Sequence, residues 1–179
     1  MKTTEILIAG FGGQGILFSG KFLAYKGLLE GIQVSWLPSY GPEMRGGTAN
    51  CNVILSDTPV GSPIITVPDV LIAMNLPSLQ KYVDTVKAGG QIYVDSSLID
   101  AKVERDDVDV FYIPATQMAK DEGIPTLANM IIVGHLLENH PELTFFGTDE
   151  VVEKLVPAKK AALKELNMKA LNLGKSYNK

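Results

Sequence analysis

The chain of 179 residues holds one cysteine, Cys51. A single thiol excludes an internal disulfide and any cluster ligated by cysteines of this chain alone. There are two histidines, His135 and His140, and no HExxH spacing, so no metal site is expected. There are two arginines, Arg45 and Arg105, and the net charge is -4. Nothing in that balance favours a polyanion, and nucleic acid is not expected as a partner. No apolar run reaches the length of a membrane span. Met1–Glu5 lacks the cationic and apolar regions of a signal peptide. These absences predict a cytoplasmic, reduced protein with no membrane partner. Paired carboxylates and Ser/His/Asp arrangements are also missing, and no catalytic residue is expected in the chain itself.

What is present is ordinary globular material: 46% apolar and 20% charged residues. The length suits one domain, 1–179, with a full core. Residues 5–9, EILIA, read as a buried strand. From Gln14 the apolar spacing changes to three and four (Ile16, Leu17, Gly20, Leu23, Ala24, Gly27, Leu28), which predicts a helix to about Gly31. IQVSWL is a second strand, ended by Pro38, and the three elements read as a βαβ unit. Residues 38–47, with two prolines and three glycines, are a loop. TANCNVILSD alternates, with Ala49, Cys51, Val53 and Leu55 on one face, and predicts a half-buried strand antiparallel to the first two. VLIAMN, QIYVDS and VDVFYIPA are further strands, with a helix over 77–88 between the first two. The C-terminal part reads as helical: 125–140, with Leu127, Met130, Ile131, Gly134 and Leu137 on a packed face, then 149–174. The fold class predicted is three-layer α/β/α with a mixed, mainly parallel sheet, a Rossmann-like glycine turn after the first strand and a helical C-terminus. Seven lysines after residue 150 read as a solvated face. A docking surface for an acidic partner is the alternative.

The stretch GFGGQG places Gly10, Gly12 and Gly15 on G-x-G-x-x-G spacing. In such a turn the first glycine allows a sharp bend with positive φ. The second lets a ligand or backbone approach, and the third lets the helix pack close to the strand. The helix N–H groups behind it suit a phosphate. A nicotinamide dinucleotide further demands an acid at the end of the second strand. That strand ends Ser35-Trp36-Leu37-Pro38, and no Asp or Glu appears before Glu43. A phosphate-bearing ligand other than NAD, or packing alone, remains.

The loop PSYGPEMRGG follows the second strand. In an open α/β sheet, loops at neighbouring carboxyl ends meet at the ligand crevice. Tyr40 can stack and hydrogen-bond there. Arg45, set before Gly46-Gly47, has the form of a clamp for an anion. Pairing of Arg45 with Glu43 or with another subunit is the plainer alternative.

GFGGQGI, SYGPEMRGGTANCNVILSD, VGSP and PDVLIAMN together resemble the gamma subunit of the 2-oxoacid:ferredoxin oxidoreductases, over nearly the whole chain. WLPSYGPEMRGGTANC looks most like gamma subunits of 2-oxoisovalerate (ketoisovalerate) enzymes, with 2-oxoglutarate enzymes close behind. The resemblance implies a multisubunit enzyme that oxidatively decarboxylates a 2-oxoacid, forms an acyl-CoA and reduces ferredoxin. It implies alpha and beta partners holding thiamine diphosphate and a delta-type partner holding iron–sulfur clusters. The part it implies for the gamma module is coenzyme A binding. Carried onto this chain, the matching positions are Gly10, Phe11, Gly12, Gly13, Gln14 and Gly15 in the first loop. In the second they are Ser39, Tyr40, Arg45, Gly46 and Gly47. Fused relatives carry lysines before the Gly-Gly, where this chain has Glu43 and Met44. A non-catalytic assembly subunit, or a stand-alone nucleotide-binding oxidoreductase, would carry the same loops. Self-association of the isolated chain into a homodimer stays open.

Three further residues read mainly as structural. Asp95, with Ser96 and Ser97 at a strand end, is placed to reach the crevice, and a helix cap or turn is the plainer reading. Cys51 falls on the apolar face of its strand. His135, on an apolar helix, suits a satisfied buried histidine or a subunit contact.

Overall fold

The computed structural model describes residues 3–39, 49–140, 142–143 and 147–178. Its centre is a sheet of six strands in the order β2-β3-β1-β4-β5-β6. The strands are β1 (Thr4–Gly10), β2 (Gln33–Ser39), β3 (Ala49–Ser56), β4 (Val70–Ala73), β5 (Gln91–Asp95) and β6 (Asp109–Ile113). β4 is parallel to β1, β5 to β4 and β6 to β5. β3 runs antiparallel to both β1 and β2. The mixed, mainly parallel sheet and the antiparallel third strand are therefore as expected. The simple βαβ unit is not: β3 lies between β1 and β2, so the first two strands point the same way without pairing. β2 also continues through Pro38 to Ser39. Pro38 is tolerated because β2 is an edge strand, where a missing N–H breaks no ladder on the open side.

Period-two alternation splits the sheet residues between two cores. Ile6, Ile8, Val70, Ile72, Tyr93 and Ile113 face one side. Leu7, Leu71, Ala73, Ile92 and Val94 face the other. The first side is covered by α1 (Ile16–Leu29), α3 (Ala115–Asp121), α4 (Ala128–Asn139), α5 (Thr148–Leu155) and α6 (Ala161–Lys175). The second is covered by α2 (Leu76–Tyr82) and by Val103 and Val108 of the connection before β6. The three layers are thus unequal.

α4 is buried from Ala128 to Leu137, because one flank faces the sheet and another faces α6. An apolar helix with no polar face needs such a position. The crossing is close because of two glycines. A Cβ on Gly134 would strike the Leu171 carbonyl, and one on Gly174 the Ile131 carbonyl.

Several boundaries differ from the sequence expectation. The helix expected over 77–88 is α2 followed by a 3-10 turn over Val83–Thr85. Arg105 closes it, donating to the carbonyls of Val83 at 2.9 Å and Val86 at 2.7 Å. The stretch 149–174 breaks after Leu155. Val156, preceding Pro157, turns extended at ψ 122°, as the clash with a proline ring dictates. α3 was not anticipated at all: seven residues carry too little periodicity to show.

Candidate functional site

α1 leads from β1 toward β2 on one side of the sheet, whereas α2 leads from β4 toward β5 on the other. The carboxyl ends of β1 and β4 are therefore the topological switch point, where an open α/β sheet forms its ligand crevice. The glycine turn occupies that place.

Its glycines serve different purposes from those assigned by spacing. Gly10 does not have positive φ; Gly13 (93°) and Gly15 (76°) do. Gly10 is required by crowding, since a Cβ there would lie 2.6 Å from Gln14 Oε1, 2.7 Å from Ile16 Cδ1 and 2.9 Å from Met74 Cβ. Gly15 makes room for a helix rather than a strand: its Cβ would lie 2.5 Å from Nδ2 of Asn129 on α4. That amide donates to the Gly15 carbonyl at 3.1 Å and to Ser19 Oγ at 2.9 Å, and so straps α4 to the start of α1. Gly12 and Phe11 are exposed turn residues.

Gln14 is the centre of the turn. Its Oε1 accepts from the Phe11 N–H at 2.6 Å, and its Nε2 donates to the Met74 carbonyl at 2.8 Å. The amide thus bridges the end of β1 to the end of β4. Behind it, α1 begins at Ile16 with Gly15 as N-cap in the left-handed region, and no side chain caps it. Its first turn also contains no acid. Four amides at a helix start lack intrahelical acceptors, and together with the dipole they favour an anion.

A cleft of about 190 Å³ opens beside the turn, lined by Gly13, Gln14, Met74, Leu98, Thr116, Pro125, Thr126 and Ala128. None of these side chains ionises. The arrangement can bind and orient, and it holds no group suited to proton transfer or nucleophilic attack. Directly behind Thr116 sits Asp95, fully buried. Its carboxylate accepts from the Thr116 hydroxyl at 2.5 Å, the Thr116 N–H at 3.3 Å and the Ser97 N–H at 3.1 Å. Asp95 is a turn organiser, as expected for a strand-end aspartate.

The second predicted loop falls largely outside the described residues: Tyr40, Arg45, Gly46 and Gly47 lie there, with Glu43 and Met44. Ser39 is described, exposed at the end of β2. The ladders pair Ser39 with Asn50 and Ala49 with Gly10. The chain therefore leaves β2 and re-enters at β3 on the same edge as the glycine turn.

Cys51 and His135 are core residues. Cys51 is buried on β3, its thiol donating to the Ile16 carbonyl at 3.4 Å, and burial pushes its pKa up to about 12. His135 is enclosed edge-on by Tyr93, Phe111 and Tyr177 and bonds the Gly174 carbonyl at 3.1 Å. Burial holds its pKa below the ordinary histidine value. Of the C-terminal lysines, Lys164 pairs with Glu153, Lys169 with Glu122 and Lys175 with Glu138, which fits a solvated outer face. Among the described residues no helix is long and apolar enough to cross a membrane.

Sequence reasoning missed Asn129, Met74, Leu98 and Thr116. Asn129 carried a signal, as a lone amide near the start of an apolar run. Thr116 also did, as a hydroxyl just after the proline that ends a strand. Met74 and Leu98 had none.

The family model for pyruvate ferredoxin/flavodoxin oxidoreductase matches residues 5–177. Ketoisovalerate oxidoreductase subunit VorA of Methanothermobacter thermautotrophicus is 38% identical over 177 residues. The match covers 97% of this chain but 36% of that protein, so the chain spans about a third of its length. The gamma subunit of a keto/oxoacid ferredoxin oxidoreductase from Geobacter sulfurreducens superposes with a TM-score of 0.80 at 30% identity, covering 96% of this chain and 95% of that one. A 2-oxoglutarate:ferredoxin oxidoreductase from Magnetococcus marinus, solved with 2-oxoglutarate, coenzyme A and succinyl-CoA bound, superposes at 0.85 with 28% identity. That match covers 98% of this chain and 31% of that one.

Proposed function

The chain belongs to the pyruvate ferredoxin/flavodoxin oxidoreductase family, and from that premise we propose that residues 1–179 form the gamma-type module of a multisubunit 2-oxoacid:ferredoxin oxidoreductase. In this reading the module positions coenzyme A, so that its thiol reaches an acyl intermediate held by partner subunits. The carrying observation is the bare start of α1 behind Gly13 and Gly15, on the edge where the Tyr40–Gly47 segment leaves and rejoins the sheet. Helix amides and an arginine such as Arg45 are a chemically matched pair for phosphate.

Partners are proposed as alpha, beta and delta-type subunits, with ferredoxin as electron acceptor. Thiamine diphosphate and iron–sulfur clusters are assigned to those partners; the one cysteine here is committed to the core. The 2-oxoacid favoured is 2-oxoisovalerate, from the WLPSYGPEMRGGTANC segment and the likeness to VorA. The relative from Magnetococcus marinus makes 2-oxoglutarate the competing choice. Residues proposed to face coenzyme A are Gly12 and Gly13 in the first loop and Ser39, Tyr40, Arg45, Gly46 and Gly47 in the second. Gly10, Phe11, Gln14 and Gly15 shape the turn.

A stand-alone dinucleotide enzyme fits less well. The Gln14 amide ties the ends of β1 and β4 together at the switch point, and β2 ends without a ribose-binding acid. The test is coenzyme A titration of the assembled complex carrying Arg45→Ala. A raised KM for coenzyme A with intact assembly supports the reading. Unchanged coenzyme A dependence with intact assembly favours the alternative, a subunit whose loops only pack against partners.

A further inference from the structure

The cleft beside the glycine turn has a chemistry distinct from that of the helix start. Its volume, about 190 Å³, is below the roughly 300–1,000 Å³ of pockets that enclose whole ligands. It suits an arm of a larger molecule. Its lining is neutral, so it would not favour a phosphate over water.

One of its polar residues, Thr116, is oriented from behind. A threonine hydroxyl has one hydrogen and two lone pairs. The hydrogen of Thr116 is committed to Asp95 at 2.5 Å. Asp95 is fully buried, and it also accepts the N–H groups of Ser97 and Thr116, which hold its carboxylate against that hydroxyl. Thr116 lines the cleft, and with its hydrogen so committed its oxygen can only accept. A ligand group meeting it must therefore be an N–H or O–H donor.

We infer that the cleft is a subsite for an uncharged, amide-bearing arm, with the Thr116 oxygen accepting an amide N–H while Met74 and Leu98 pack on the carbon chain. This rests on the coenzyme A reading, and the arm is then the pantetheine portion. Phosphate binding falls to the start of α1, and recognition of the neutral arm falls to Thr116, positioned by Asp95.

The test uses the complete complex and two probes that compete with coenzyme A. Desulfo-coenzyme A carries the arm; adenosine 3′,5′-bisphosphate lacks it. Thr116→Val should raise the KM for coenzyme A and the Ki of desulfo-coenzyme A about 2- to 10-fold, the loss expected for one neutral hydrogen bond. The Ki of the bisphosphate and kcat should not change, and Thr116→Ser should restore the wild-type values. Both probes weakening together would mean that the substitution only distorted the loop, and would overturn the proposal. No change in either would overturn it as well. A second measurement leaves the protein intact: methylating the arm's amide nitrogens should weaken binding to wild type by a similar factor, and equal binding of both forms would overturn the proposal. Arg45→Ala separates the two failures. If it raises the KM while Thr116→Val is silent, only the subsite is wrong; if both are silent, the coenzyme A reading falls too.

Discussion

The side-chain amide of Gln14 donates to the main-chain carbonyl of Met74 at 2.8 Å, across the switch point of the sheet. A polar side chain ties the two strand ends together by satisfying main chain on both sides.

Gln14→Leu keeps the volume and removes both hydrogen bonds. It leaves the Phe11 N–H and the Met74 carbonyl without these partners, a loss of about 1–3 kcal/mol. The expected outcome is a melting temperature lower by roughly 2–10 °C in a chain of this size. In the assembled complex it should also raise the KM for coenzyme A with little change in kcat. Differential scanning calorimetry and steady-state kinetics check the two parts. An unaltered melting temperature would mean that the bridge contributes nothing.

The α4–α6 crossing tolerates no side chain at its two glycines. Gly174→Ala forces a Cβ onto the Ile131 carbonyl, and Gly134→Ala onto that of Leu171. Backbone cannot yield as a flexible side chain does, so each should cost at or above the upper end of about 1–3 kcal/mol. Gly61→Ala is the control, because nothing lies within 4 Å of the added Cβ and its φ is not positive. It should stay within about 0.5 kcal/mol of wild type. Urea denaturation of the three variants orders them.

His135 predicts a pH dependence. Burial lowers its pKa from 6.5, and His140 shifts in the same direction for the same reason. Below about pH 6.5 the unfolded chain therefore binds more protons than the folded one, and stability falls as pH falls. Above that value both forms are neutral, and this contribution is fully present. Replacing His135 by Leu should flatten the stability profile between pH 7 and 5 relative to wild type, with His140 leaving a residual slope. Chemical denaturation at several pH values measures both slopes, and identical slopes would remove His135 from the effect.

Cys51 should be silent toward thiol reagents. The group is fully buried, and its pKa of about 12 leaves almost no thiolate near neutral pH. Labelling with a chromogenic disulfide should proceed only as fast as the chain opens, and denaturant should release one equivalent, matching the single cysteine. Rapid stoichiometric labelling of the native protein would contradict the burial.

Much of the architecture can be read from local pattern, because pattern reports which faces are apolar. Alternation in TANCNVILSD marked β3, and short apolar runs marked β1, β4, β5 and β6. Leu127, Met130, Ile131, Gly134 and Leu137 implied a helix with a packed face, and the structure buries that helix from Ala128 to Leu137. Pattern is silent on which strand lies beside which. The insertion of β3 between β1 and β2 depends on pairings between residues far apart in sequence, such as Ile8 with Cys51 and Trp36 with Val53. The same limit applied to the glycine turn. Its spacing announced a strand-to-helix turn, and the residues alone argued against a nicotinamide ligand, since the demand for an acid after VSWL is a matter of order along the chain. Why each glycine is needed depended on what arrives from elsewhere: Met74 and Gln14 against Gly10, and Asn129 of α4 against Gly15. The acceptor character of Thr116 likewise exists only because folding buries Asp95 behind it. Local sequence carries backbone preference and polarity. The chemistry of this site arises where chain segments twenty to more than a hundred residues apart come within hydrogen-bonding distance.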